Sequence, residues 1–202
     1  MTDRNHASAG VDMASADTSF ARDGAAWSEI TALGDNNFRI RLGGLLRPTW
    51  MLGVCNGLAQ NNVSIDRAHA RRLTHDASWI AELHVVALDG ASDPLQLPLI
   101  AYAESGPASG SAPLALRTYE LIESTDHAGT LRLTFNAQDS VGLLGSLLLA
   151  FSSLSLLPVE MHIETREKEA CDCLWLATSN AGKPSAKDRV ALDALLRSTV
   201  QH

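Results

Sequence analysis

Strand-like alternation and helix-like spacing of apolar residues follow each other along this chain in the same order twice. In the later copy, Leu131, Leu133 and Phe135 alternate with Arg132, Thr134 and Asn136, the pattern of a half-buried strand. Leu143, Leu144, Leu147, Leu148 and Phe151 then recur at three- and four-residue spacing, which predicts an amphipathic helix. Asp139 or Ser140 is placed to cap its first free amides. Val159, Met161 and Ile163 alternate with Glu160, His162 and Glu164, and a turn at Lys168 leads into a strand from Ala170 to Thr178. Gly182-Lys183-Pro184-Ser185 opens a last helix carrying Val190, Leu192, Leu195 and Leu196. One more strand, Leu116 to Thr125, and the turn Asp126-His127-Ala128-Gly129 precede this series.

The earlier copy repeats it. Trp27 to Leu33 reads as a strand and Gly34-Asp35-Asn36-Asn37 as a turn. Phe38, Ile40 and Leu42 then alternate with Arg39 and Arg41. Pro48 suits the first turn of a helix running to about Asn61, and Val63 to Leu73 and Ser78 to Leu88 read as strands. The second helix of this copy is weakly marked, because Pro94 and Pro98 interrupt the stretch to Glu104. Each unit is therefore strand–strand–helix–strand–strand–helix, an α+β arrangement. Residues 25–104 form the first expected domain, 114–202 the second, and the Gly/Pro/Ser stretch 105–113 a linker. Residues 1–24, rich in Ala, Ser, Asp and Gly, read as a flexible tail.

Composition narrows the function classes. The chain has 202 residues, 46% apolar and 19% charged, with a formal net charge of −7. Nucleic-acid binding is not expected of so acidic a surface, and the cluster Arg67, Arg71 and Arg72 is too local to change that. No run reaches the roughly 18 apolar residues of a membrane span, and no secretory signal opens the chain. The expected location is cytoplasmic. Cys171-Asp172-Cys173 lacks two further ligands close in sequence, so neither a metal site nor a cofactor is expected, and the cysteines read as reduced core residues.

The stretch Asp139-Ser140-Val141-Gly142-Leu143-Leu144, followed by Val159 to Thr165 and then Ala170 to Leu174, resembles the ACT domains. These include the domains of the glycine cleavage repressor and the ACT repeats of the nitrogen-sensing uridylyltransferase. The resemblance implies two ferredoxin-like units, each an antiparallel sheet with helices on one face. It also implies a loop, here Asp139 to Leu144, that closes over a small ligand, usually an amino acid, at an edge shared by two domains. A helix N-terminus suits a carboxylate there. In the first copy Leu45-Leu46-Arg47-Pro48-Thr49-Trp50 replaces that loop. The family order begins one strand later than each unit here, and the extra leading strand is expected to take the edge position of the family's last strand.

Other residues invite chemistry. Glu160, His162 and Glu164 share one strand face; Asp66, Arg67, His69, Arg71, Glu82 and His84 decorate the corresponding pair in the first copy. Histidine beside carboxylate supports acid–base catalysis, with His69, His84, Glu82 and Arg67 as the candidate set; equally, such residues pair across solvated sheets. Trp50 and Trp79 line a pocket or fill the core. Three functions follow: a regulatory protein that binds a small molecule, an amino acid in the first instance, and acts through homodimerisation or a protein partner; an enzyme built on the same scaffold; or a structural adaptor whose sheet edges mediate assembly only.

Overall fold

In the computed structural model the described residues are 24–73, 78–105, 112–127 and 129–201. The expected tail apart from Gly24 and most of the expected linker lie outside them. Eight strands form one sheet: β1 Trp27–Gly34, β2 Asn37–Gly44, β3 Val63–Arg72, β4 Trp79–Ala87, β5 Leu116–Glu123, β6 Leu131–Gln138, β7 Leu156–Arg166 and β8 Glu169–Thr178. Their order is β1-β2-β4-β3-β7-β8-β6-β5, and every neighbouring pair is antiparallel. Among the described residues four α-helices accompany them: α1 Trp50–Gln60, α2 Leu99–Glu104, α3 Leu143–Ser153 and α4 Ala186–Thr199. The protein is therefore α+β, with a single continuous antiparallel sheet. The leading strand of each copy, β1 or β5, does lie at an outer edge beside β2 or β6. No helix among the described residues is long and apolar enough to cross a membrane.

The helical stripe predicted for α3 is buried throughout: Leu143, Leu144, Leu147, Leu148 and Phe151 are all at or below 8% exposure. In α4 the stripe is narrower than expected. Leu192 and Leu196 are fully buried, whereas Val190 is 69% exposed. This helix begins with a capping box in which the Ser185 hydroxyl accepts from the Asp188 amide and the Asp188 carboxylate accepts from the Ser185 amide, the reciprocal arrangement that satisfies two end amides.

Helix α2 is short, starting directly after Pro98, and α1 is shaped to receive it. A Cβ on Gly53 would lie 2.0 Å from the Tyr102 carbonyl oxygen, and one on Gly57 would lie 2.3 Å from the Tyr102 ring. The Asn61 amide nitrogen, Nδ2, donates both to the Gly57 carbonyl and to the Tyr102 hydroxyl, at 2.8 and 3.0 Å. Two glycines one helical turn apart thus make the groove that the weakly marked second helix needs.

The copies join through β3 and β7, where Arg67 faces Glu164, Ala68 faces Ile163, His69 faces His162, Ala70 faces Met161 and Arg71 faces Glu160. Ala68, Ala70, Met161 and Ile163 are buried beneath the helices. The parity left open by the sequence is settled: Arg67, His69 and Arg71 share the opposite, open face with Glu160, His162 and Glu164. Both strands carry a bulge, between Ile65 and Arg67 and between Pro158 and Glu160. The extra residue breaks the period-2 count, so Leu156 and Pro158 join Met161 and Ile163 in the core and Val159 does not.

Seam charges match across the join. Pairing β3 with a second β3 in this register would set Arg67 against Arg71, and pairing two β7 strands would set Glu160 against Glu164. Like charges directly opposite are destabilising, so the sequence favours the pairing of unlike halves. We expect Glu164→Arg, which puts a cation opposite Arg67, to lower stability by about 1 kcal/mol. Arg67→Glu in the same chain should recover most of it. A double-mutant cycle in urea checks this, and equal losses with and without the second change would contradict it.

Candidate functional site

The loop Asp139–Leu144 lines a cleft at the boundary of the two halves, against Cys55 of α1 and Val63, Ser64 and Ile65 of β3. All six residues implied by the ACT resemblance reach it. The expected cap does not form: the N-cap of α3 is Gly142, in the left-handed region at φ 89°, and no side chain caps the helix. That backbone conformation is open to glycine at no steric cost, and it carries the chain past Asp139 and Ser140 before the helix starts. The Asp139 amide donates instead to the Lys168 carbonyl at 2.9 Å. Its carboxyl is raised above the usual range by burial, against hydrogen bonds from the Thr165 side chain and the Ser140 backbone, with the charge of Asp66 adding to the rise.

A second carboxyl, Asp172, lies in the same cleft. It is 2% exposed on the helix-covered face of β8, between Ala170 and Leu174. The Glu164 amide donates to its Oδ1 at 3.2 Å. Burial pushes its pKa up to about 7, opposed by that hydrogen bond and reinforced by the charge of Asp139. Sequence reasoning does not select Asp172, yet the residue leaves a trace there: a charged residue in the apolar phase of a strand that otherwise reads Ala170, Leu174, Leu176. The thiol of Cys55 is pushed well up by burial and by Asp172, which makes it a packing residue rather than a nucleophile. Helix α3 packs closely on α1 beside the cleft, since a Cβ on Gly145 would lie 2.9 Å from Asn56 Oδ1. The interior volume is about 30 Å³, room for a water or two.

An equivalent cleft lies on the other side of the seam, where the replaced loop residues Leu45, Leu46 and Pro48 meet Leu157, Pro158 and Val159. Its volume is about 200 Å³, and Trp79, Arg72 and the Thr178–Ala181 turn also line it. Trp50 is core, 1% exposed, with its ring edge-on to Trp79 at 5.6 Å.

The catalytic candidates lie on the open face of the sheet. His84 Nε2 is 3.1 Å from Glu82 Oε1, and Glu82 also faces Arg41, at 3.7 Å. His69 stands opposite Glu82 in register but directs its Nε2 toward Glu160, 3.5 Å away. Arg67 lies between His84 and Glu164 in register. The side chains of His69, Glu82 and His84 are 28%, 24% and 36% exposed.

Glu160 is the true centre of that face. Oε1 takes His162 at 2.9 Å as well as His69, and Oε2 takes His127 at 3.2 Å. Hydrogen bonds from His162 and His69 outweigh partial burial and hold the carboxyl well below the usual carboxylate range. Trp175 sits edge-on to both His127 and His162 at 5.1 Å.

Comparison with protein families, with characterised proteins and with solved structures finds no match to this chain.

Proposed function

We propose that this protein is a small-molecule sensor of ACT type, which binds an amino-bearing metabolite, an amino acid in the first instance, in the cleft beneath Asp139–Leu144. One observation carries this reading: the loop singled out by the resemblance lines a cleft at the boundary of the two halves, and a buried carboxyl lies inside it. Asp172 and Asp139 would take the ammonium group, since an adjacent cation relieves the cost of ionising a buried acid. The first turn of α3, uncapped by any side chain, would take the carboxylate. With room for only a water or two, the cleft admits an amino acid when the loop moves outward. Binding would then reposition α3 against α1 and bias the surface seen by a second copy or a protein partner.

The enzyme alternative has less support, because on the open sheet face His84 pairs with Glu82, His69 turns to Glu160 and Arg67 lies opposite Glu164. A thermal-shift screen of the amino acids tests the proposal. At a ligand concentration of about 100 times Kd, mass action stabilises the folded state by about 2.7 kcal/mol. A rise in Tm with at least one amino acid, abolished in Asp172→Asn, is the expected result. No rise with any of them would overturn the reading.

A further inference from the structure

We propose that His69, Glu160 and His162 form a binding site for one divalent transition-metal ion, with His127 holding the glutamate in place. The carboxylate oxygen Glu160 Oε1 is approached by two imidazole nitrogens from strands on opposite sides of the seam, His162 Nε2 at 2.9 Å and His69 Nε2 at 3.5 Å. The ligand atoms of the three residues all lie within 4.8 Å of one another. An ion bound tetrahedrally at about 2.05 Å by nitrogen and oxygen sets its ligands about 3.3 Å apart, so two edges of the triangle already stand close to that spacing. The two rings are edge-on, with centroids 4.4 Å apart, and a modest rotation of each closes the third edge.

The donor set fits a zinc-like ion. Imidazole with carboxylate suits zinc, nickel, cobalt and copper, and three protein ligands leave a coordination position open. The open position would face solvent, because His162 is 53% exposed. Glu160 Oε2 is held by His127 Nε2 at 3.2 Å, the outer-shell hydrogen bond that commonly fixes a ligating carboxylate. No cysteine among the described residues belongs to the cluster, and Cys173 Sγ receives the Thr134 hydroxyl at 3.8 Å.

The site belongs to neither copy alone. His69 is supplied by β3, Glu160 and His162 by β7, and His127 by the turn before β6. Metal binding would therefore fasten the seam between the halves, and it stands independently of any ligand under the Asp139 loop.

Untagged, chelator-treated full-length protein is titrated with Zn2+ by calorimetry and with Co2+ by visible absorption and Trp fluorescence. Roughly one equivalent should bind, with quenching of Trp175 by Co2+ that is lost in Trp175→Phe. His69→Ala or His162→Ala should each weaken binding about 100-fold or more, and His127→Ala about 10-fold. Circular dichroism and urea melts confirm that each variant is folded. For any variant that is not, NMR of the wild-type imidazoles with and without Zn2+ gives the same answer, with His69 and His162 shifting and His84 unmoved. Absence of binding at millimolar metal, or binding unchanged in both histidine variants, would overturn the proposal.

Discussion

Asp172→Asn is expected to raise the stability of the protein at pH 8 and to lower it slightly at pH 4. The folded chain holds this proton more tightly than the unfolded chain, with a pKa of about 7 against an ordinary value of 3.8. Stability contributed by the group is thus full below about pH 4 and is lost as pH rises through about 7. Every tenfold gain in proton affinity is worth about 1.4 kcal/mol, so ionising Asp172 costs on the order of 2–4 kcal/mol above neutrality. Asparagine removes that cost and keeps an oxygen for the Glu164 amide, but leaves a buried amide with incomplete partners. A net gain of about 1–3 kcal/mol at pH 8 remains, or a rise in Tm of about 3–8 °C for a domain of this size. Melts of both proteins across that pH range check it, and a variant destabilised equally at both pH values would contradict it. A chain that keeps a destabilising buried acid where asparagine would serve is expected to use that acid.

Gly53→Ala is expected to destabilise the protein by about 1–3 kcal/mol, even though alanine favours the helix by about 1 kcal/mol over glycine. The added carbon would meet the Tyr102 carbonyl oxygen at 2.0 Å, a backbone atom that moves only if α2 moves. Gly57→Ala should cost less, because it meets the Tyr102 ring, a side chain able to turn once its bond from Asn61 breaks. Urea unfolding of the two variants separates these outcomes. Either variant proving more stable than the parent would mean that α2 does not pack in this groove.

Which features could be read from the chain depends on how local their causes are. The stripe Leu143, Leu144, Leu147, Leu148 and Phe151 and the alternation of Leu131, Leu133 and Phe135 report single elements, and both are buried as their periods require. Val159 misled because a bulge adds one residue between Pro158 and Glu160, and no local composition announced it. Asp139 and Ser140 read as helix caps because their residue types favour that role; the positive φ of Gly142, decided by the path of the loop, gives the end to glycine instead. The cluster on Glu160 was least legible. His69 and Glu160 are 91 positions apart, and only the register between β3 and β7 brings them together. His162 and Glu160, two positions apart on one face, carried half of that signal; His127, in a turn, carried none.

The most direct test of the sensor proposal is hydrogen exchange with and without the amino acid that gives the largest thermal shift. Protection centred on Asp139–Gly145 and on Val63–Ile65 across the seam is the predicted result, because those segments line the cleft together with Asp172. Protection centred on Leu45–Pro48, or none at the Asp139 loop, would contradict it.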